Sequence, residues 1–116
     1  MKVRVMIWAV APEGRPGAVE ETYHQISEAL VGTPGLLGNH LMRSIHDPSR
    51  FVVVSEWTNM SDFVAWEQDA RHKPTTSPLR SFHDPERRPV IYEEVAAYGE
   101  AGPLHERADS LKETAP

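Results

Sequence analysis

At 116 residues, 40% of them hydrophobic and 25% charged, the chain has the size and composition of one soluble globular domain. Its formal charge of −5, with no Lys/Arg-rich run, argues against nucleic acid as a partner, because neutralising phosphates takes a basic patch. The lack of cysteine excludes disulfides, thiolate metal sites and cysteine nucleophiles, and the histidines are too scattered for a metal site. Met1–Ala11 lacks the apolar core of a signal peptide. No apolar run approaches the roughly 18 residues of a membrane span, so a cytoplasmic protein without a membrane partner is expected.

The stretch Lys2–Ala11 begins with strict alternation. Val3, Val5, Ile7 and Ala9 share one face; Lys2, Arg4, Met6 and Trp8 share the other. The second face turns apolar at Met6, Trp8 and Val10, which predicts a strand covered on both sides. A Pro/Gly turn cluster at Pro12–Gly17 leads into a helix over Ala18–Val31. Val19, Tyr23, Ile26 and Leu30 make its apolar stripe, with Glu20, Glu21, Gln25 and Glu28 opposite. Gly32 and Pro34 stop it.

Leu36–Ile45 and Phe51–Thr58 read as two strands of a hairpin, joined by the turn chemistry of His46-Asp47-Pro48-Ser49-Arg50. Ser61 fits an N-cap, and the helix after it places Phe63, Trp66 and Ala70 on one side until Pro74. A short helical piece over Thr75–Phe82, with Pro78 in its first turn, and a loop at Asp84–Pro89 follow. Val90–Tyr98 is the expected last strand.

The order β-α-β-β-α-β is the ferredoxin-like α+β signature, an antiparallel sheet with its helices on one face. The other face needs a cover, and a second copy packing sheet on sheet supplies it; a homodimer is expected. The domain spans residues 1–98. Residues 99–116 form a tail, either mobile or laid on the partner subunit.

Trp57, Trp66 and Phe63 are the largest apolar groups available to the space between sheet and helices. They either pack the core or line a pocket for a flat aromatic ligand. His40 on the second strand and His72 after the second helix are the imidazoles able to act there as general base. Arg43 is a candidate for holding a carboxylate or enolate oxygen, and Tyr92 and Tyr98 are further candidates on the last strand. His46 and His83 open twin HDPSR and HDPER motifs that turn chemistry explains.

The run Pro34-Gly35-Leu36-Leu37-Gly38, the hairpin, Val52-Val53-Val54-Ser55-Glu56-Trp57 and then Ser61-Asp62-Phe63-Val64-Ala65-Trp66 resembles the antibiotic biosynthesis monooxygenase (ABM) family over residues 2–98. That resemblance implies a dimeric α/β barrel with a pocket between sheet and helices, toward which Ser55 would turn between Val53 and Trp57. It implies no cofactor in the branch that oxidises aromatic polyketides. In that branch's pattern Trp57 matches the strand tryptophan, but Val53 stands where an asparagine is usual and Phe63 where a tyrosine is. In the haem-degrading branch's pattern Trp66 matches, but Ile7 replaces an asparagine and Thr76 the ligating histidine, which disfavours haem degradation. The implied function is a cofactor-independent monooxygenase acting on a bulky aromatic or polyketide-like molecule, with molecular oxygen as co-substrate. An oxygen-independent cyclase or isomerase, and a non-catalytic small-molecule-binding dimer, are the alternatives.

Overall fold

The computed structural model describes residues 1–69 and 72–104. In chain order it contains β1 (Val3–Val10), α1 (Ala18–Leu30), β2 (Leu36–Arg43), β3 (Arg50–Trp57), α2 (Met60–Gln68), α3 (His72–Arg80) and β4 (Val90–Glu93). A ribbon of β5 (Tyr98–Gly99) and β6 (Gly102–Pro103) follows. The four main strands form one antiparallel sheet in the order β2-β3-β1-β4, the ferredoxin-like arrangement, with helices on one face. No helix among the described residues is long and apolar enough to cross a membrane.

Alternation settles which side chains meet the helices. Val3, Val5 and Ala9 of β1 are buried opposite Trp57, Ser55 and Phe51 of β3, as the period-two pattern requires. On α1, Val19 and Ile26 are buried and Tyr23 and Leu30 half-buried, so the apolar stripe faces the sheet. Two core clusters result. Val3, Val5, Trp57 and Phe63 gather beneath α2, whereas Ala9, Ala11, Val19 and Phe51 gather with Leu79 of α3.

Gly35 joins α1 to the sheet for two reasons. Its φ is +82°, and a Cβ there would lie 2.5 Å from Cβ of Asp62 in the first turn of α2. The proline-glycine lead-in to β2 therefore exists because α2 packs on its backbone. Just beyond, a register shift between Leu36 and Gly38 turns Leu37 outward. It leaves Asn39, Leu41 and Arg43 on the helix face beside Ser55, Val53 and Phe51.

Several elements differ from their sequence-based expectation. α2 is capped by Asn59, whose side chain accepts the Asp62 N–H at 2.8 Å, and not by Ser61. It ends at Gln68, before Pro74, which instead lies in the first turn of α3. Pro78 lies inside α3; its missing N–H leaves the Pro74 carbonyl to the Ser77 hydroxyl, 3.4 Å away. β4 stops at Glu93 because β1 offers no rung beyond Lys2, whose carbonyl accepts the Glu94 N–H at 2.9 Å. Of the expected tail, residues 99–104 belong to the β5–β6 ribbon, and residues 105–116 lie outside the described residues.

The twin Asp-Pro motifs converge on one cation. Asp47 Oδ1 accepts from the Ser49 N–H and Asp84 Oδ1 from the Glu86 N–H, each closing its own turn. Their second oxygens both take Arg50, at 3.1 and 2.9 Å. His83, beside Asp84, is bridged to Ala9 of β1, so this turn is fastened to the sheet as well as to Arg50.

Candidate functional site

The helix face of the sheet is closed at one end and open along β2. At the closed end Trp57 is 1% exposed; its ring centroid lies 5.5 Å from that of Phe63 and 5.2 Å from that of Trp66. The indole N–H of Trp57 donates to Ser55 Oγ at 2.9 Å. A buried tryptophan with its one donor satisfied inside the fold is a packed core residue. Trp57 and Phe63 are buried and Trp66 is half-buried, and none of the three lines either open cleft described below.

The open end has two clefts. One, of about 630 Å³, is lined by Glu20, Leu41, Arg43, Ser44, Ile45, Pro48 and Phe51. Its floor is apolar, from Leu41 and Phe51, and its rim carries Arg43, whose Nη1 lies 3.4 Å from Glu20 Oε1 of α1. Both ion-pair side chains are roughly half exposed (56% and 47%), so water competes for the pair and it opens at little cost. The second cleft, of about 260 Å³, lies toward the end of α1 and is lined by Ser27, Leu30, Leu36, Gly38 and Asn39 among others. The hydrogen bonds from Tyr23 Oη to the Asn39 carbonyl (2.8 Å) and from Asn39 Nδ2 to Ser27 Oγ (2.9 Å) tie α1 to β2.

The candidate residues thus separate. Ser55 and Arg43 are on the helix face, with Arg43 at the larger cleft. His40, expected as a possible base in the pocket, pairs with Val54 and is exposed on the opposite face. Strand alternation after the register shift allows Asn39 or His40 to face the helices, not both, and Asn39 does. Tyr92 pairs with Arg4 on that same far face and is 63% exposed, so it too is removed from the pocket. Tyr98 belongs to the separate ribbon. His72 opens α3, and its side chain lies outside the described residues.

Three polar residues on this face had no prior signal as site residues. Glu20 counted as part of the solvated side of α1, yet the angle of the helix brings it to Arg43. Asn39 becomes visible only once the register is known; its Oδ1 is buried with no partner. His83 shares the row Arg43–Phe51–Ala9 across the sheet, and its Nε2 is likewise buried without a partner.

The family model for antibiotic biosynthesis monooxygenase matches residues 1–75. Among curated proteins, the chain is similar to Protein SchA of Streptomyces halstedii, 26% identical over 81 residues, which are 70% of this chain and 21% of SchA. It is also similar to Polyketide synthase CurD of Streptomyces cyaneus, 28% identical over 80 residues, 69% of this chain and 21% of CurD. The matched stretch is therefore about a fifth of the length of these relatives. Among solved structures, SnoaB, a cofactor-independent oxygenase from Streptomyces nogalater, superposes with a TM-score of 0.69 at 17% identity, covering 85% of this chain and 97% of SnoaB. A conserved protein from Methanosarcina mazei Go1 gives 0.69 at 14% identity, covering 81% and 93%. These two likenesses carry the fold alone. With a family model matched over more than half of its length, this chain belongs to the antibiotic biosynthesis monooxygenase family.

Proposed function

We propose that this domain binds a bulky, planar, polyketide-like aromatic molecule between α1 and β2 and oxygenates it without metal or flavin. The observation that carries this reading is the 630 Å³ cleft, whose apolar floor of Leu41 and Phe51 is edged by Arg43 and Glu20. Its size and lining suit a multi-ring ligand with one anionic oxygen. The Streptomyces relatives, one named a polyketide synthase, and the fold shared with a cofactor-independent oxygenase give the chemical context.

In this mechanism the substrate supplies the electrons. An anthrone-type methylene flanked by a phenolic system loses a proton, and its carbanion reduces O₂. The peroxide formed at that carbon loses water to leave a carbonyl, so one CH₂ and one O₂ become one C=O and one H₂O. The protein has to stabilise the enolate oxygen, receive the proton and keep water away. Arg43 holds the oxyanion. Binding of the substrate's carbonyl oxygen, the future oxyanion, draws Arg43 from Glu20, whose freed carboxylate then takes the methylene proton as the enolate forms; His72 is the imidazole alternative for this step. The domain works as a homodimer, its far sheet face covered by a second copy. Met6 and Trp8 are half-buried there, and Met42 is 51% exposed.

The test is oxygen uptake with an anthrone-type phenol in metal-free buffer. One O₂ consumed per quinone formed is expected. Arg43→Met should lower kcat/KM by about tenfold to a thousandfold, as loss of an oxyanion partner does. Glu20→Gln and His72→Gln identify the proton acceptor by which of them removes the acidic-limb dependence on pH, the fall in rate as the base becomes protonated. Product formation that is equally fast without oxygen would instead establish a cyclase or isomerase. Tight binding with no turnover would leave a binding protein, a reading favoured by the fact that Arg43 and Glu20 already satisfy each other.

A further inference from the structure

Asn39 is one point at which α1 is tied to the sheet, and it is only partly satisfied. Its carbonyl accepts from Tyr23 Oη and its Nδ2 donates to Ser27 Oγ, but its Oδ1 is buried with no partner. A leucine here would pack without that penalty, so a buried amide with an empty acceptor marks a place that something else completes. Ser55 is its direct neighbour across the strand pair, on the same face. Because Ser55 Oγ already accepts from Trp57 Nε1, its own O–H is left to donate. One side of this pair accepts and the other donates. The 260 Å³ cleft, lined by Ser27, Gly38 and Asn39, opens beside Asn39, and Ser55 lies one strand inward of it.

We propose that Asn39 and Ser55 form a hydroxyl-recognition site for the ligand. A phenolic O–H of the ligand donates to Asn39 Oδ1, and the same oxygen accepts from the Ser55 hydroxyl. The ligand class is therefore a hydroxylated aromatic, discriminated from its O-methylated counterpart. A methyl ether cannot donate, so it leaves Oδ1 unpaired, and its extra carbon meets the Ser27 side of the bridge. Asn39 is the specificity-determining residue, and with Ser55 it orients the ring system relative to Arg43, which lies on the same face four residues along β2. The inference rests on the aromatic-ligand reading above but not on its oxygen chemistry.

The experiment is equilibrium binding to the full chain under anaerobic conditions, followed by quenching of tryptophan fluorescence. The probes are 2,6-dihydroxyanthraquinone, whose hydroxyls lie too far from the ring carbonyls to donate to them, and its dimethyl ether; neither has a methylene to oxidise. The unsubstituted protein should prefer the dihydroxy probe by about tenfold or more, the worth of one well-placed hydrogen bond and its unpaired counterpart. Asn39→Leu should bring the ratio close to one, because it removes the only group that the phenol can donate to and the ether cannot. Ser55→Ala should weaken both probes alike and leave the ratio unchanged, since an ether oxygen also accepts. Far-UV circular dichroism and the thermal midpoint establish that each variant is folded. Should Asn39→Leu not fold, Asn39→Ala, which removes the same acceptor without adding bulk beside Ser27, decides in its place. Equal affinities in the unsubstituted protein, or a preference that survives in a folded Asn39 variant, overturn the proposal. Failure of both probes to bind overturns it together with the aromatic-ligand reading. Intact discrimination with no oxygen uptake on an anthrone overturns only the oxygenase reading.

Discussion

Gly35→Ala tests the packing that creates this site's frame. Two costs add. An alanine at φ +82° enters the left-handed region, at roughly 1–2 kcal/mol. Its Cβ also meets Asp62 Cβ at 2.5 Å, and carbon atoms that close force backbone movement of the kind that costs about 1–3 kcal/mol in overpacked sites. The expected loss is about 2–5 kcal/mol by urea denaturation, or a fall of at least roughly 8 °C in thermal midpoint for a domain near 100 residues. The two parts can be separated. Asp62→Gly removes all three clashing atoms, Cβ at 2.5 Å and Cγ and Oδ2 at 2.7 Å, whereas Asp62→Ala keeps the nearest of them. In a double-mutant cycle Gly35→Ala should therefore couple favourably to Asp62→Gly, by about 1–3 kcal/mol, and more weakly to Asp62→Ala, which keeps the closest contact. A Gly35→Ala cost below about 0.5 kcal/mol, or equal rescue by both partners, refutes the reasoning.

Arg50→Met leaves the Asp84 carboxylate, 4% exposed, without its cation and should cost about 1–3 kcal/mol in denaturant, less than a fully buried pair because Arg50 is half exposed. Adding Asp84→Asn should recover part of that loss, since the Asn oxygen still accepts from the Glu86 N–H. Asp47 is held below its ordinary value of 3.8, first by the Ser49 hydroxyl, then by the Ser49 N–H and Arg50. A depressed carboxyl stabilises the fold above its unfolded pKa and loses that contribution as pH falls through the folded one, so Asp47→Asn should flatten the fall of thermal midpoint below about pH 4. On the proposed homodimer, Met42→Glu on the far face of the sheet should shift sedimentation from dimer to monomer while leaving the circular dichroism spectrum unchanged. Sedimentation of the unsubstituted chain as a monomer refutes that assembly.

How much of this was legible in the sequence varied with the kind of interaction. Alternation in Val3–Ala9 and the three-to-four-residue stripe of α1 are local patterns, and both faces came out as those patterns dictate. The register of β2 is not local. It depends on an irregularity between Leu36 and Gly38; a glycine inside a strand hints at a bulge, but it does not fix which residue is doubled or which face follows. His40 and Asn39 exchange faces with a one-residue slip, so the choice of base turned on the one quantity the sequence hid. The end of β4 was hidden for a related reason, because a strand stops where its neighbour's rungs stop. The joint hold of Asp47 and Asp84 on Arg50 was hidden because it joins residues far apart in sequence.

The aromatic residues, the most conspicuous candidates, mark the closed end of the domain. Trp57, Phe63 and Trp66 fill the space beneath α2 so completely that Trp57's N–H finds its acceptor within its own strand. Open volume survives where the sheet carries Asn39, Leu41 and Arg43 under a helix that presents Glu20 and Ser27. Such side chains leave space and unspent hydrogen-bonding capacity, and a ligand needs both. The dense cluster serves that opening indirectly. It fixes β3 and α2, α2 fixes Gly35, and the strand that leaves Gly35 carries Asn39 and Arg43 to the helix face. A substitution in the cluster should therefore act through stability, whereas one at Asn39, Ser55 or Arg43 should act through what the domain binds and does.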